Sequence, residues 1–328
     1  MKKIISICLL AGMCLGLLAG CGSKGNDSDS GSGEGNKKMV YIAQDMNDPF
    51  ASWLANSVKA VGGENGYDVS IMDGQADGAK LVEMLENAKN TSPDIIVMQP
   101  NPDAQVLRTI QDIQKNEIPV IVVNLPLPED PEAVPTVICD DYTLGYSIAQ
   151  EAAENLKENA NVVILNGIPG MSVTSERRRG FQEGLLDARE DVTLLDELDA
   201  NFNKDEAMDA MDDWLQKFDQ IDGVICASDG MALGAIESYK SNNKDFSEVQ
   251  FYGIDGLAEG CLSIQAGEEK ATVLQDAMTM AEETIKMADG IMDGSITDCP
   301  TVTIDAKVIN EDNIEEMIEF HKKNGLIE

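Results

Sequence analysis

From residue 38 onward, short apolar runs rich in β-branched residues alternate with segments in which apolar residues recur every three or four positions. Several runs, such as "DIIVMQP" and "PVIVVN", are almost continuously apolar, as parallel strands covered by helices on both faces must be. This alternation predicts doubly wound parallel sheets of the α/β class, and "TVTIDAKVI" near the C-terminus is predicted to be one strand. This segment of about 290 residues is longer than a single hydrophobic core usually accommodates, and we therefore expect two lobes.

The N-terminal 21 residues form a separate unit. A pair of lysines precedes an apolar run from Ile4 to Leu18, which at about 15 residues is shorter than the ~20 of a membrane-spanning helix. The run ends in "LAGC", which resembles the lipobox of bacterial lipoproteins, where a cysteine is acylated and the chain is cut before it. Residues 1–20 are therefore predicted to be a lipoprotein signal peptide and Cys21 the lipidation site. An ordinary secretory signal with a chance cysteine is the alternative.

Charge and composition limit the classes of molecule that this chain can bind. The chain has 59 Asp plus Glu against 24 Lys plus Arg, a formal net charge of −35, and so acidic a surface repels nucleic acid and anionic lipid headgroups. Residues 21–37 contain no large apolar side chain, and we predict a flexible tether there. We expect an extracytoplasmic monomer that does not bind nucleic acid and that is held to the cell membrane by its lipid rather than by charge.

Cysteine and histidine limit the chemistry. Cys139, Cys226, Cys261 and Cys299 occur singly, and lone cysteines in apolar strands are more often buried small hydrophobes than ligands. His321 is the only histidine, which disfavours a histidine-built metal site or a Ser-His-Asp triad. We expect neither a metal nor a cofactor.

Polar and aromatic residues follow many of the predicted strands. Ligands of open parallel sheets bind beyond the carboxyl ends of the strands. Planar amides, carboxylates and guanidinium groups pair with adjacent hydroxyls, and aromatic rings cover the C–H faces of sugars. Helix capping explains single Asn, Asp or Ser positions equally well, and the joint occurrence favours a site. The positions are Asn47 to Phe50, Asn124, Asp140, Asp141, residues 167–179, Asn201, Phe202, Ser228, Asp229, Asp255, Gly256 and Gln275.

Three of the five arginines are adjacent, in "SERRRGF". Ser172 is predicted to cap a helix that runs to about Leu186. Val173, Arg177, Phe181 and Leu185 recur every four residues, which places Arg177 on the face toward the protein and the cleft. Arg178 and Arg179 then point away, and Arg179 can pair with Glu183.

Three side chains keep an alternative interpretation. Arg177 could instead form a structural salt bridge with a carboxylate such as Asp141. An aromatic residue after a strand is more often core than ligand platform, but Phe50 and Phe202 lie in the polar loops "NDPFAS" and "DANFNKD", and this favours the platform. Trp53 and Trp214 are predicted to pack in the core or between lobes.

Seven motifs carry a resemblance to a known family. The chain from about residue 38 resembles the type I periplasmic sugar-binding proteins of ABC importers, the ribose- and galactose-binding group. The resemblance implies a Venus-flytrap fold with three crossovers between lobes, one of residues 38–140 with 276–300 and one of residues 141–275 with 301–328. The motifs are "NDPFASWL", "PVIVVN", "DDYTLGYSIAQ", "NGIPGMSVTSERRRGF", "CASDGMALGA", "YGIDG" and "ATVLQDA".

The same resemblance implies a set of ligand-facing residues: Asp48, Phe50, Asn124, Arg177, Phe202, Ser228, Asp255 and Gln275. Some positions depart from the family. Ala51 stands where the ribose-binding pattern has a second aromatic residue, Asn124-Leu125 where it has Asp-Arg, and Ser228 where it has Asn. Asn124 agrees with the galactose-binding pattern, but Met171 and Val173 stand where that pattern has His and Asp, and its calcium loop is not found. Pentose, hexose, inositol and a furanosyl signalling molecule remain open.

The function that follows is capture of a simple sugar or polyol in an interlobe cleft and its delivery to the permease of an ABC importer. Two alternatives stay open. One is a sensor that presents the closed form to a chemoreceptor or sensor kinase. The other is a secreted hydrolase using Asp48 and Asp255, which fold alone does not exclude. No nucleophile, base or metal partner accompanies these carboxylates, and we expect no enzyme activity.

Overall fold

The computed structural model describes residues 36–101, 104–127 and 134–327. The predicted signal peptide, Cys21 and all but the last two residues of the predicted tether lie outside the described residues. The strands are β1 Lys37–Ala43, β2 Tyr67–Asp73, β3 Ile95–Met98, β4 Val120–Val123, β5 Thr136–Cys139, β6 Asn161–Asn166, β7 Thr193–Asp199, β8 Gly223–Cys226, β9 Gln250–Tyr252, β10 Ala271–Leu274, β11 Thr301–Ile304 and β12 Lys307–Asn310. The helices are α1 Pro49–Glu64, α2 Gly78–Asn90, α3 Ala104–Gln114, α4 Asp141–Asn155, α5 Ser172–Phe181, α6 Lys204–Lys217, α7 Asp229–Ser241, α8 Ala258–Gln265, α9 Ala277–Asp293 and α10 Ile314–Lys323.

The strands form two six-stranded sheets, one in each lobe, and the predicted fold class is confirmed. The first sheet has the order β11-β5-β4-β3-β1-β2 and the second the order β12-β10-β9-β8-β6-β7. Every described pairing is parallel except that of β10 with β12. Among the described helices none is long and apolar enough to cross a membrane.

Inner strands such as β3 and β4 are apolar throughout because both of their faces are covered. On β1, Met39, Tyr41 and Ala43 belong to one buried cluster, while Val40 and Ile42 belong to a second. Successive side chains of a strand point to opposite faces of its sheet, so the two clusters lie on opposite faces. A strand covered by helices on both sides has no solvent face on which polar residues would alternate.

The chain crosses between the sheets three times: after β5, after β10, and between β11 and β12. The last crossing corrects two predictions. "TVTIDAKVI" is two strands rather than one, with the break at Asp305-Ala306. Thr301–Ile304 pairs with β5 and therefore belongs to the first lobe, whereas the boundary after residue 300 placed it in the second. Both halves contain the valine and isoleucine typical of strands, and the sequence pattern contains no signal for the change of sheet.

Two glycines let α4 and α5 meet backbone to backbone. A Cβ atom on Gly145 would lie 2.4 Å from the carbonyl oxygen of Arg177, and one on Gly180 would lie 2.4 Å from the amide nitrogen of Tyr146. No side chain fits in so narrow a gap. The close approach brings the start of α4, with Asp141, next to Arg177 on α5.

We predict that Gly145→Ala lowers the free energy of unfolding by about 1–3 kcal/mol, because the two helices must separate to admit the methyl group. Urea unfolding of the unliganded protein measures it. Gly63→Ala in α1 is the matched control, since nothing lies within 4 Å of its added Cβ and alanine favours a helix by about 0.5–1 kcal/mol. Equal stability of the two variants would contradict the interpretation.

Candidate functional site

A cavity of about 210 Å³ lies between the lobes, beyond the carboxyl ends of strands from both sheets. All eight residues predicted to face a ligand line it: Asp48, Phe50, Asn124, Arg177, Phe202, Ser228, Asp255 and Gln275. Their contact with a ligand remains a prediction, but the structure brings them together as the family resemblance implies. The volume of this cavity is below the ~300–1,000 Å³ of sites for drug-sized ligands, and this restricts a ligand to about one small ring.

Two of the eight residues are also helix caps. Asp48 precedes α1 and its Oδ1 accepts from the backbone N–H of Ala51 at 2.7 Å. Ser228 precedes α7 and its Oγ accepts from the N–H of Met231 at 3.3 Å. The capping alternative is therefore true for these residues and does not exclude a place in the cavity wall. A cap that is already bonded to its helix presents a side chain in a defined orientation.

Arg177 is the most heavily bonded residue of the site. It is buried, and its Nε donates to Asp141 Oδ1 at 3.0 Å. Nη1 donates to the carbonyl oxygen of Ala227 at 2.7 Å and to Asp255 Oδ1 at 3.4 Å, and Nη2 donates to Gln275 Oε1 at 2.6 Å. The salt bridge with Asp141 and the place in the cavity wall thus coexist. Of the five donors of a guanidinium group, four are engaged within the protein.

The other two adjacent arginines point outward as predicted. Arg178 pairs with Glu197 at 2.6 Å, and Arg179 pairs with Glu176 and with Glu183, the latter at 3.6 Å. The start and end of the helix differ from the prediction. Met171 rather than Ser172 is the N-cap, and its side chain makes no capping hydrogen bond. The helix ends at Phe181, and a π-helical turn, Gln182–Leu186, follows it.

One hydrogen bond links the two lobes across the cavity. Gln275, which follows β10 in the second lobe, donates from Nε2 to Oδ1 of Asn124, which follows β4 in the first. Gln275 also accepts from Arg177, so the guanidinium network extends to the first lobe through one amide.

Acidic groups outnumber basic ones around the cavity. Burial raises the pKa of Asp255 well above its usual range, with Asp229 and Asp48 adding repulsion and Arg177 opposing them. Burial also raises the pKa of Asp48 and of Asp141, again opposed by Arg177. Three carboxyl groups face one guanidinium, and such an environment disfavours an anionic ligand.

Several residues of the cavity wall have left-handed backbone conformations. Asn124, Asn201 and Phe202 have φ values of 67°, 53° and 56°, and Asp255 has a φ of 125°. Such conformations are uncommon outside glycine and cluster at ligand sites, where the surroundings hold them in place.

The turn that carries Asp255 is held from two sides. Asp229, fully buried, accepts at Oδ2 from the N–H of Leu257 at 2.7 Å and at Oδ1 from the hydroxyl of Thr272 at 2.5 Å. Nε2 of His321 donates to the carbonyl oxygen of Gly256 at 3.0 Å. Neither Asp229 nor His321 lines the cavity. Both position a residue that does.

The two aromatic rings of the wall have different supports. Phe50 is buried and lies edge-on to Trp53, with 6.0 Å between ring centroids, and Trp53 in turn lies against His321. Phe202 is partly exposed, and a Cβ on Gly167 would lie 2.0 Å from its ring. Glycine at position 167 is therefore what leaves room for Phe202. Trp53 and Trp214 are buried, as predicted.

Sequence reasoning missed part of the wall. Gln44 and Asp45 line the cavity and directly follow β1, so the rule applied to the other strand ends would have found them. Ala76 also lines it, in a left-handed conformation with φ 55°, and its apolar side chain carries no signal. The cysteine prediction is confirmed for Cys139, Cys226 and Cys261, which are buried.

A larger groove of about 940 Å³ lies elsewhere, along α1 and α9 and against the segment after α10. None of the eight predicted residues lines it. The interlobe cavity remains the candidate site because hydrogen-bonding groups from several strand ends converge there.

Two sheets that enclose a small polar cavity between their strand ends define a two-lobed binding protein. The chain belongs to the periplasmic binding protein family, since the family model described as a periplasmic binding protein domain matches residues 39–296. The resemblance to type I periplasmic sugar-binding proteins that the motifs predicted is confirmed.

Similar proteins cover nearly the whole chain. The ribose import binding protein RbsB of Bacillus subtilis is 27% identical over 298 residues, which are 90% of this chain and 94% of that one. The xylitol-binding protein of Mycolicibacterium smegmatis is 28% identical and covers 97% of this chain, with 88% of its own length matched. These relatives are binding proteins rather than enzymes.

Solved structures show the same fold. A solute-binding protein of an ABC transporter from Actinobacillus succinogenes with bound D-allose has a TM-score of 0.80 at 20% identity, over 85% of this chain and 99% of that one. One from Bacillus halodurans with bound myo-inositol has a TM-score of 0.78 at 23% identity, over 88% and 99%.

We predict that Arg177→Met destabilises the unliganded protein by about 3–5 kcal/mol at neutral pH, because it leaves buried carboxylates without their partner. Arg178→Met on the same helix is the control and should cost about 0–1 kcal/mol, since its ion pair is partly exposed. Urea unfolding of both variants measures the difference. Similar losses would show that Arg177 is not the centre of a buried network.

We also predict that His321 makes stability fall in weak acid. Burial lowers the pKa of His321 in the folded protein, so its contribution is fully present above the unfolded pKa of ~6.5 and is lost as the pH falls through the lower folded value. From pH 7.5 to pH 5, the free energy of unfolding of wild type should fall more steeply than that of His321→Gln, by up to about 1.4 kcal/mol per pH unit. Both proteins keep the buried carboxyl groups, and parallel profiles would contradict the assignment.

Proposed function

We propose that this protein captures a neutral monosaccharide or small polyol outside the cytoplasm and delivers it to the permease of an ABC importer. In this proposal the chain is a lipoprotein anchored to the cell membrane through Cys21, with residues 1–20 removed. The observation that carries the proposal is the convergence of Asp48, Asn124, Asp255 and Gln275 on one cavity of about 210 Å³.

The hydrogen-bonding groups support a ligand with several hydroxyls. Carboxylates accept from hydroxyl groups, and the amides of Asn124 and Gln275 both accept and donate. Phe50 and Phe202 add aromatic faces for the C–H faces of a ring. Because these residues come from both lobes, a ligand completes its contacts only when the lobes are closed, and it thereby selects the closed form.

The charge of the wall supports a neutral ligand. A phosphorylated sugar would place further negative charge beside Asp48 and Asp255, both partly or fully withdrawn from water. The named relatives, which bind ribose and xylitol according to their names, are consistent with an uncharged polyhydroxyl compound.

We predict micromolar affinity, about −8 kcal/mol, for at least one member of a panel of pentoses, hexoses, inositols and pentitols. At a thousandfold excess over Kd a ligand stabilises by about 4 kcal/mol, which a thermal shift detects. Phe202→Ala should weaken binding by about 2 kcal/mol, roughly thirtyfold, as truncation of an aromatic anchor does. Phe218→Ala is the control, because Phe218 is a partly buried phenylalanine outside the cavity wall.

Three results would contradict the proposal. One is the lack of any thermal shift across the panel. A second is a shift that Phe202→Ala and Phe218→Ala reduce equally, since binding would then not occur in this cavity. Conversion of a bound sugar into product would show an enzyme and end the interpretation as a binding protein.

A further inference from the structure

One side of the cavity wall is apolar. Leu125, Met171 and Val173 are buried and pack together in a cluster separate from the cores, with the partly buried Ile168 and Phe202 against it. All five line the cavity. Leu125 follows β4 in the first lobe, and Met171 and Val173 lie at the start of α5 in the second. The cluster therefore closes one end of the cavity with side chains from both lobes.

The charged groups lie at the other end of the same helix face. Val173 and Arg177 are four residues apart on α5, so both face the cavity, about 6 Å apart along the axis. Arg177 is bonded to Asp255 and Gln275, whereas Val173 is packed against Leu125 and Met171. Over one turn the wall changes from apolar to hydrogen-bonding.

A wall of this kind discriminates between substituents of a sugar ring. A hydroxyl turned toward Leu125, Met171 and Val173 gives up its bonds to water and finds no partner on these side chains. A methyl or methylene group there buries apolar surface instead.

Resting on the proposed sugar-binding function, we propose that the preferred ligand is a deoxy or methyl-bearing monosaccharide or polyol. Its hydroxyls face Arg177, Asp255 and Gln275, and its apolar edge faces Leu125, Met171 and Val173. These three residues thus determine which substituent the protein accepts, and not only how tightly the lobes close.

The experiment compares pairs of sugars that differ at one carbon and keep the same ring: D-fucose with D-galactose, and L-rhamnose with L-mannose. Titration calorimetry on the purified protein gives Kd for each. In the pair whose hydroxyls match the polar end, the deoxy sugar should bind at least about tenfold more tightly than its parent, because the parent buries a hydroxyl without a partner against the apolar wall.

Leu125→Asn changes the chemistry of the wall at nearly constant side-chain size. It should reduce the preference for the deoxy sugar to about twofold or less, because the amide offers the parent hydroxyl a partner. Met46→Asn is the matched control. Met46 is a partly buried apolar residue in the loop after β1 that is not part of the cavity wall, and its substitution should leave the ratio unchanged.

The remaining outcomes overturn the inference in distinguishable ways. If each parent sugar binds as tightly as its deoxy partner, the ligand does not place an apolar edge on this wall. If Leu125→Asn weakens both members of a pair equally, the cluster only seals the lobes. If no sugar or polyol binds, the proposed function fails, and the inference fails with it.

Discussion

A guanidinium group cannot remain buried without partners, because the cost of removing its charge from water is several kcal/mol. Arg177 meets this requirement with groups from four places in the second lobe. Asp141 begins α4, Ala227 follows β8, Asp255 follows β9 and Gln275 follows β10. The network thereby fixes three strand ends and a helix start relative to one another. Gln275 carries it to Asn124 in the first lobe, so the two halves of the cavity wall depend on the same charge.

The candidate binding groups of the wall are held by structural contacts that exist without a ligand. Asp48 and Ser228 cap helices, and Asp255 lies in a turn fixed by Asp229 and His321. A site on rigid elements loses little conformational entropy when a ligand binds. Much of the free-energy cost of arranging these groups is already present in the unliganded protein, as raised carboxyl pKa values and left-handed backbone conformations.

The division of the wall into a polar and an apolar end follows from the position of α5. Met171 and Val173 at its start and Arg177 one turn later all line the cavity. Gly145 and Gly180 make this possible, because they let α5 approach α4 until the backbones touch. This close contact between two helix backbones thus positions the part of α5 that lines the cavity.

The sequence by itself determined the α/β class, the alternation of strands with helices, and the inward face of α5, because these follow from local periodicity. It also indicated every one of the eight candidate site residues, since parallel strands end at a common edge and the motifs resemble a family. Only the tertiary structure decided that Thr301–Ile304 belongs to the first lobe, that Arg177 both pairs with Asp141 and lines the cavity, and that His321 supports the turn of Asp255 from 65 residues away. These features depend on contacts between segments far apart in the chain, and no local pattern of residues records such contacts.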